Sequence, residues 1–82
     1  MSMRQELLQF IRTELAGGAA PGSIDEKTQL IDSGVIDSMA LMRLITFVED
    51  RTGIRIPDDE VLPDNFQSVE EIESLVARLK SR

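Results

Sequence analysis

Apolar residues recur at helical spacing in three separate segments of this chain, and this pattern limits the fold more than any other feature. In the last segment, residues three and four positions apart share one face: Val69, Ile72, Leu75, Val76 and Leu79. Ser68 and Glu71 form an S-x-x-E capping box in front of this face. Acids crowd the start of the segment and bases crowd its end, which matches the helix dipole. The segment is therefore predicted to be an amphipathic helix.

The two earlier segments show the same periodicity. A first helix is predicted over residues 3–15, capped by Ser2 and ended by the pair Gly17-Gly18. A second helix is predicted over residues 38–52, ended by Gly53. Its core stripe is expected to consist of Leu41, Leu44, Ile45 and Val48.

Two connections separate these helices. Residues 19–37 form a long connection broken by Pro21 and Gly22, but they contain enough aliphatic residues to pack onto the core as an ordered loop. After the second helix, residues 54–57 (IRIP) are expected to be extended, and one or two short helical turns should follow between Asp58 and Phe66.

The elements together predict an all-α fold. We expect a small four-helix bundle of three main helices and one short helix, with a long first loop, forming a single domain over residues 1–82. The chain has no cysteine, so helix packing and not disulfide bonding must hold the core together.

The net charge narrows the classes of partner. The chain carries 15 acidic and 9 basic residues, a formal net charge of −6. This sign disfavours nucleic acids and anionic membranes and favours basic protein partners. The first ten residues contain no long apolar run, so we expect no signal peptide, no membrane insertion and a cytoplasmic location.

The composition also argues against catalysis by this chain. It has no histidine and no cysteine, and hence no common general base, no thiolate nucleophile and no ordinary zinc site. The acids at 58–60 lack the spacing of a calcium loop. A Ser–Lys dyad with Lys27 or Lys80 is formally possible, but nothing ties either lysine to a serine. We expect no catalytic residue, no metal site and no enzymatic activity.

The stretch GVIDSM, residues 34–39, is predicted to present a serine at a helix start. With Asp37 as the N-cap, Ile36 and Leu41 take the two positions of a hydrophobic staple, and Gly34 permits the turn that precedes them. Ser38 is then the first helical residue, with its hydroxyl pointing outward at the positive end of the helix, where a phosphate ester would be stabilised. An Asp-Ser pair is also a common way to open an unmodified helix.

One face of the second helix is predicted to lie outside the core stripe. Met39 and Met42 flank a face that also contains Arg43 and Thr46, which is typical of an adaptable contact surface. The alternative for the two methionines is a place at the edge of the core. The seven acids between Asp58 and Glu73 are a solvated surface by default.

These motifs resemble the acyl and peptidyl carrier protein family over essentially the whole chain. The span LIDSGVIDSMALMRLITFVEDRTGIRIPDDEVLPDNFQSVEEI carries the resemblance. Leu30, Gly34, Asp37 and Ser38 match the family pattern, and Met39 replaces the usual leucine. The resemblance implies the acyl-carrier-protein-like fold.

The resemblance also implies a function and a set of partners. A phosphopantetheinyl transferase would attach a covalent 4′-phosphopantetheine arm, derived from coenzyme A, to Ser38. Asp37 would cap the helix and help the transferase to dock. The expected partner-contact residues are Met39, Met42, Arg43, Thr46 and Ile56. The domain would be a monomer that presents an acyl or aminoacyl thioester to a loading enzyme and to a downstream synthase or transferase.

The charges of the second helix bear on the pathway. Carriers of fatty-acid synthesis typically have acids directly after the modified serine, whereas here Ala40, Met42 and Arg43 follow it and acids return only at Glu49 and Asp50. The sequence looks more like carriers for amino acids or unusual extender units. Secondary metabolism or cell-envelope modification is thus favoured over bulk fatty-acid synthesis. The alternative function is an unmodified helical interaction domain derived from a carrier.

Overall fold

The helices of the chain follow its caps and apolar stripes closely. The computed structural model describes residues 2–15 and 24–81. Helix α1 spans Met3–Phe10 and continues as a π-helical turn over Ile11–Leu15. Helix α2 spans Ser38–Thr52 and helix α3 spans Val69–Lys80. Two short 3₁₀ turns, Asp58–Glu60 and Pro63–Phe66, lie between α2 and α3.

The predicted all-α, acyl-carrier-protein-like fold is confirmed, with two differences in detail. The expected first helix over residues 3–15 is present, but its last five residues are π-helical. The expected short helix is divided into the two 3₁₀ turns, because Pro63 opens the second of them and cannot continue the first. The predicted stop at Gly17-Gly18 lies outside the described residues.

Each main helix begins at the cap that the sequence predicts. The backbone N–H of Gln5 donates to Ser2 Oγ at 3.2 Å, and the N–H of Glu71 donates to Ser68 Oγ at 3.2 Å. Helix α2 ends at Gly53, whose φ of 71° is the left-handed conformation that glycine adopts without strain.

A single apolar core joins the helices to the long first loop. Its buried residues are Leu7, Ile11, Leu15, Ile24, Leu30, Ile36, Leu44, Ile45, Val48, Ile56, Phe66, Val69, Ile72, Leu75 and Val76. The loop contributes Ile24, Leu30 and Ile36, so residues 24–37 are packed as predicted. Leu41, expected in the stripe of α2, is only partly buried at its edge. In the described part of the chain, no helix is long and apolar enough to cross a membrane.

Candidate functional site

The start of α2 has the capped geometry that the sequence predicts. Asp37 has extended backbone angles, and the N–H of Ala40 donates to its Oδ1 at 2.8 Å. The N–H of Leu41 donates to the Asp37 carbonyl at 2.9 Å and begins the helical ladder. Ser38 is the first residue of the helix and is exposed. The carboxylate of the cap is thus bonded to the helix backbone, whereas the neighbouring serine is open to solvent.

The loop before this start is folded into a tight turn. The N–H of Ile36 donates to the Leu30 carbonyl at 3.0 Å, and the N–H of Gly34 donates to the Ile31 carbonyl at 3.1 Å. Gly34 has a φ of 82°, a conformation that residues with a Cβ rarely adopt. Ile36 is only 3% exposed, and it anchors the chain in the core one residue before the cap.

The chain contains two Asp-Ser pairs, and their surroundings differ. In the first pair, Ser33 lies within the turn, and its hydroxyl donates to the Leu30 carbonyl at 3.5 Å. In the second pair, Ser38 opens a 15-residue helix. Only the second serine lies at the positive end of a helix dipole, where a phosphate is stabilised by backbone N–H groups. The first turn of α2 contains no acid, and the carboxylate next to Ser38 in sequence is that of the Asp37 cap.

The outward face of α2 exposes two methionines beside the serine. Met39 is 80% exposed and Met42 is 61% exposed. These exposures rule out the alternative that the two side chains lie at the edge of the core. Thr46, one turn beyond Met42, is also exposed, and its hydroxyl donates to the Met42 carbonyl at 3.1 Å. One accessible side of the helix is thus shared by Ser38, Met39, Met42 and Thr46.

Arg43 lies on the same side but is tied to the end of the first helix. Its guanidinium bonds to the Glu14 carboxylate at 3.1 Å and donates to the Glu14 carbonyl at 3.3 Å. Both side chains are about half exposed, so the ion pair is a weak one. The sequence did not predict this pairing, because 29 residues separate the partners.

A stacked aromatic pair also joins α1 to α2 next to this ion pair. The rings of Phe10 and Phe47 lie 4.2 Å apart at 17°, and the Arg51 guanidinium lies 5.4 Å from the Phe47 ring. The rings border an open groove of about 400 Å³. The only sequence signal was that Phe10 stands beside the apolar stripe of its helix and not within it.

Ile56 requires a correction. It was expected to contact partners, but its side chain is only 5% exposed and belongs to the core. Its backbone N–H donates to Glu49 Oε2 at 2.8 Å, which fixes the chain after α2 and turns the side chain inward. Leu62, which no sequence motif marks, is instead 51% exposed between the two 3₁₀ turns.

The charged groups around the site are paired with neighbouring residues. Besides the Arg43 pair, Arg51 approaches Glu6 at 3.8 Å and Arg78 approaches Glu60 at 3.4 Å. Among residues 2–15 and 24–81, no group of three or more acids is placed to hold a metal ion. At the start of α2, the exposed Ser38 hydroxyl lies next in sequence to the exposed Asp37 carboxylate, which is bonded to the helix backbone.

Comparison with known proteins identifies the family. Residues 5–76 match the family described as "Phosphopantetheine attachment site". The chain is 30% identical to the probable acyl carrier protein PigG of a Serratia species over 96% of this chain and 90% of the relative. It is 32% identical to the D-alanyl carrier protein of Streptococcus sanguinis over 99% of each chain.

A solved structure agrees with these relatives. The chain is 30% identical to a protein in the crystal structure of Bradyrhizobium japonicum glycine:[carrier protein] ligase complexed with glycylated carrier protein. The match has a TM-score of 0.68 and covers 90% of this chain and 99% of the other. The chain therefore belongs to the phosphopantetheine-binding carrier proteins, which hold biosynthetic intermediates on a covalent 4′-phosphopantetheine arm and present them to partner enzymes.

Proposed function

We propose that Ser38 is the residue to which the phosphopantetheine arm is attached. The observation that carries this proposal is the position of the serine: it is exposed and is the first residue of α2, directly after the Asp37 cap. Its hydroxyl oxygen would form the phosphate ester, and the N–H groups of the first turn would stabilise the phosphate. The arm supplies a thiol, on which an acyl or aminoacyl group is held as a thioester.

Asp37 has two roles in this proposal. Its carboxylate caps α2 through the Ala40 N–H and so fixes the orientation of the next residue. It also lies beside the reacting hydroxyl, where it helps a phosphopantetheinyl transferase to dock. The transferase uses coenzyme A as the source of the arm, and we therefore assign the protein to the cytoplasm.

The exposed face of α2 is the surface that partner enzymes contact. Met39 and Met42 offer flexible apolar side chains that adapt to different partners, and Thr46 extends the surface along the helix. Arg43 is the only charged residue between Ser38 and Val48. A basic patch on a partner enzyme would have no acidic residue to pair with on this part of α2. The face therefore favours partners with neutral or acidic docking surfaces.

The names of two similar proteins favour an aminoacyl group as the cargo. A D-alanyl carrier protein and a carrier complexed with a glycine ligase are among the relatives, and both names describe amino-acid cargo. The loading enzyme would then be an aminoacyl ligase, and a synthase or transferase would accept the thioester. Amino-acid cargo of this kind belongs to secondary metabolism or envelope modification. The chain itself would act as a monomeric single domain without catalytic activity.

Attachment at Ser38 is tested by incubating the protein with coenzyme A and a promiscuous phosphopantetheinyl transferase. Intact mass spectrometry should show one added arm on the wild type and none on Ser38→Ala. Ser33→Ala is the matched control, because Ser33 belongs to the other Asp-Ser pair, and it should be loaded like the wild type. Circular dichroism should show that both variants are folded, since both side chains are exposed.

Two results would overturn this assignment. One is a wild-type protein that gains no arm under conditions that load a control carrier. The other is loading of Ser38→Ala at the wild-type rate. If Ser38→Ala and wild type bound the same partner equally and neither was modified, the chain would be an interaction domain derived from a carrier.

The cargo is tested separately on the arm-bearing protein. Ligases specific for glycine or D-alanine are offered beside a malonyl transferase of fatty-acid synthesis. We expect an aminoacyl thioester, seen by mass and removed by hydroxylamine. Loading by the malonyl transferase alone would contradict the aminoacyl assignment and leave the role of Ser38 intact.

A further inference from the structure

Gln67 makes an unusual set of contacts with the loop that leads to Ser38. Its side-chain Oε1 accepts hydrogen bonds from the N–H groups of Ile31 at 3.1 Å and Asp32 at 3.0 Å. Its backbone carbonyl accepts the N–H of Leu30 at 2.6 Å. Three consecutive N–H groups of the loop therefore bond to one residue, which lies more than thirty positions away in the chain.

Gln67 itself is held firmly from both sides. Phe66, directly before it, is fully buried, and Ser68, directly after it, is the N-cap of α3. Its backbone angles, φ −68° and ψ −29°, are ordinary helical values. A side chain on such a rigid support keeps its geometry better than one on a free loop.

The contacts of Gln67 reach Ser38 through the tight turn of the loop. The Leu30 carbonyl accepts the N–H of Ile36, and Ile36 lies one residue before the Asp37 cap. A continuous series of hydrogen bonds and short backbone steps thus links Gln67 to the start of α2. Residues 30–36, here called the clasped turn, are the segment that this series closes.

We propose that Gln67 is a positioning residue that keeps the clasped turn closed and thereby holds Ser38 ready for attachment of the arm. This inference rests on the proposed function, because it takes Ser38 as the modified residue. Without the side-chain oxygen, the N–H groups of Ile31 and Asp32 bond to water, and the clasped turn opens more often. The transferase binds only molecules with a closed turn, so its apparent KM rises as the closed fraction falls. The value of kcat stays the same, since the bound serine reacts from the same geometry.

Two substitutions at position 67 distinguish the contribution of the acceptor oxygen from that of the rest of the side chain. Gln67→Leu removes both acceptor bonds, whereas Gln67→Glu retains a carboxylate oxygen that accepts both N–H groups. Gln29→Leu is the matched control, because Gln29 is an exposed glutamine at the edge of the same loop. All proteins are studied without the arm, at a temperature at which circular dichroism shows them folded.

The first measurement is amide hydrogen exchange by NMR. Gln67→Leu should speed exchange at Ile31 and Asp32 by about tenfold or more, because two protecting bonds are lost. It should also speed exchange at Ile36, whose bond to the Leu30 carbonyl is kept and breaks only when the clasped turn opens. Exchange at Leu44 and Ile72, which lie in the core, should stay within about twofold of wild type.

The second measurement is arm attachment at varied carrier concentration. Gln67→Leu should raise KM about two- to tenfold with unchanged kcat, and Gln67→Glu and Gln29→Leu should keep the wild-type KM.

Three outcomes would overturn the proposal. Exchange at Ile36 close to the rate of an unprotected amide, with an unchanged KM, would mean that the clasped turn does not govern Ser38. Faster exchange throughout the core would mean that Gln67 stabilises the whole fold and not the clasped turn in particular. Failure of Gln67→Glu to restore the KM would exclude the acceptor oxygen as the cause. A wild-type protein that gains no arm at all would instead refute the proposed function, and the exchange data would still report on the clasp.

Discussion

Replacing the Asp37 cap should weaken the protein by an amount that the structure sets. Asp37→Ala removes the acceptor of the Ala40 N–H, which is 2.8 Å away, and leaves the first turn of α2 without its cap. Loss of an N-cap costs about 1 kcal/mol, within a range of about 0.5–2. For a domain of this size, such a loss lowers the Tm by about 4–8 °C. Asp37→Asn retains the acceptor and should stay within about 0.5 kcal/mol of wild type.

The assay is urea unfolding followed by circular dichroism, with a common m-value as the check on two-state behaviour. Asp32→Ala is the matched control, because Asp32 is the acid of the other Asp-Ser pair and is exposed. It should change the free energy of unfolding by less than about 0.5 kcal/mol. Equal stabilities of Asp37→Ala and wild type would refute the capping argument. Arm attachment to Asp37→Asn then tests the effect of the carboxylate charge alone. If Asp37→Asn is as stable as wild type but is modified more slowly, the transferase recognises that charge.

Further predictions concern the core, the turn, pH and the partner surface. Leu44→Ala should lower the free energy of unfolding by about 2–5 kcal/mol in urea titration, because Leu44 is fully buried. Gly34→Ala should cost about 1–2 kcal/mol in the same assay, since the φ of 82° is strained for a residue with a Cβ. The N–H of Lys27, bonded to the carboxylate, lowers the pKa of Asp25 below 3.8, so NMR titration should find its midpoint below that value. The stabilisation from this carboxylate is therefore present above the ordinary pKa of the group and is lost as the pH falls through its lower folded pKa. Met39→Ala should leave the Tm unchanged but slow aminoacyl loading by a partner ligase, because this side chain is 80% exposed.

The sequence predicted the features that depend on near neighbours. Helix α2 spans the predicted residues 38–52, begins after the predicted Asp37 cap and ends at Gly53 as predicted. Caps and helix ends are set by residues within one turn, and the apolar stripe reports which face is buried, so a single sequence carries this information. The accessible position of Ser38 follows from the same local rules.

The contacts that tie the site to the rest of the fold could not be predicted in this way. The side-chain bonds of Gln67 to the loop and the Arg43–Glu14 pair join residues 29 to 36 positions apart. Nothing in the local pattern marks these residues, because a glutamine before a helix cap and a surface arginine are ordinary at such positions. The inward side chain of Ile56 was also missed, although the Glu49 side chain that accepts its N–H is only seven residues away, because the sequence does not show how the chain turns after α2.

The distribution of charge matters more for partner choice than the net charge. A formal charge of −6 favours basic partners when it is treated as a single quantity. Seven of the acids, however, lie between Asp58 and Glu73, whereas Arg43 is the single charged residue among the first eleven residues of α2. In the free protein Glu14 pairs with this arginine, so a partner that bound Arg43, as we propose, would have to offer a group that replaces the pairing. Since exposed pairs are worth about 0–1 kcal/mol, one acidic side chain on the partner is enough to replace it. If α2 is the docking face that we propose, it selects against the basic patches that the net charge would attract.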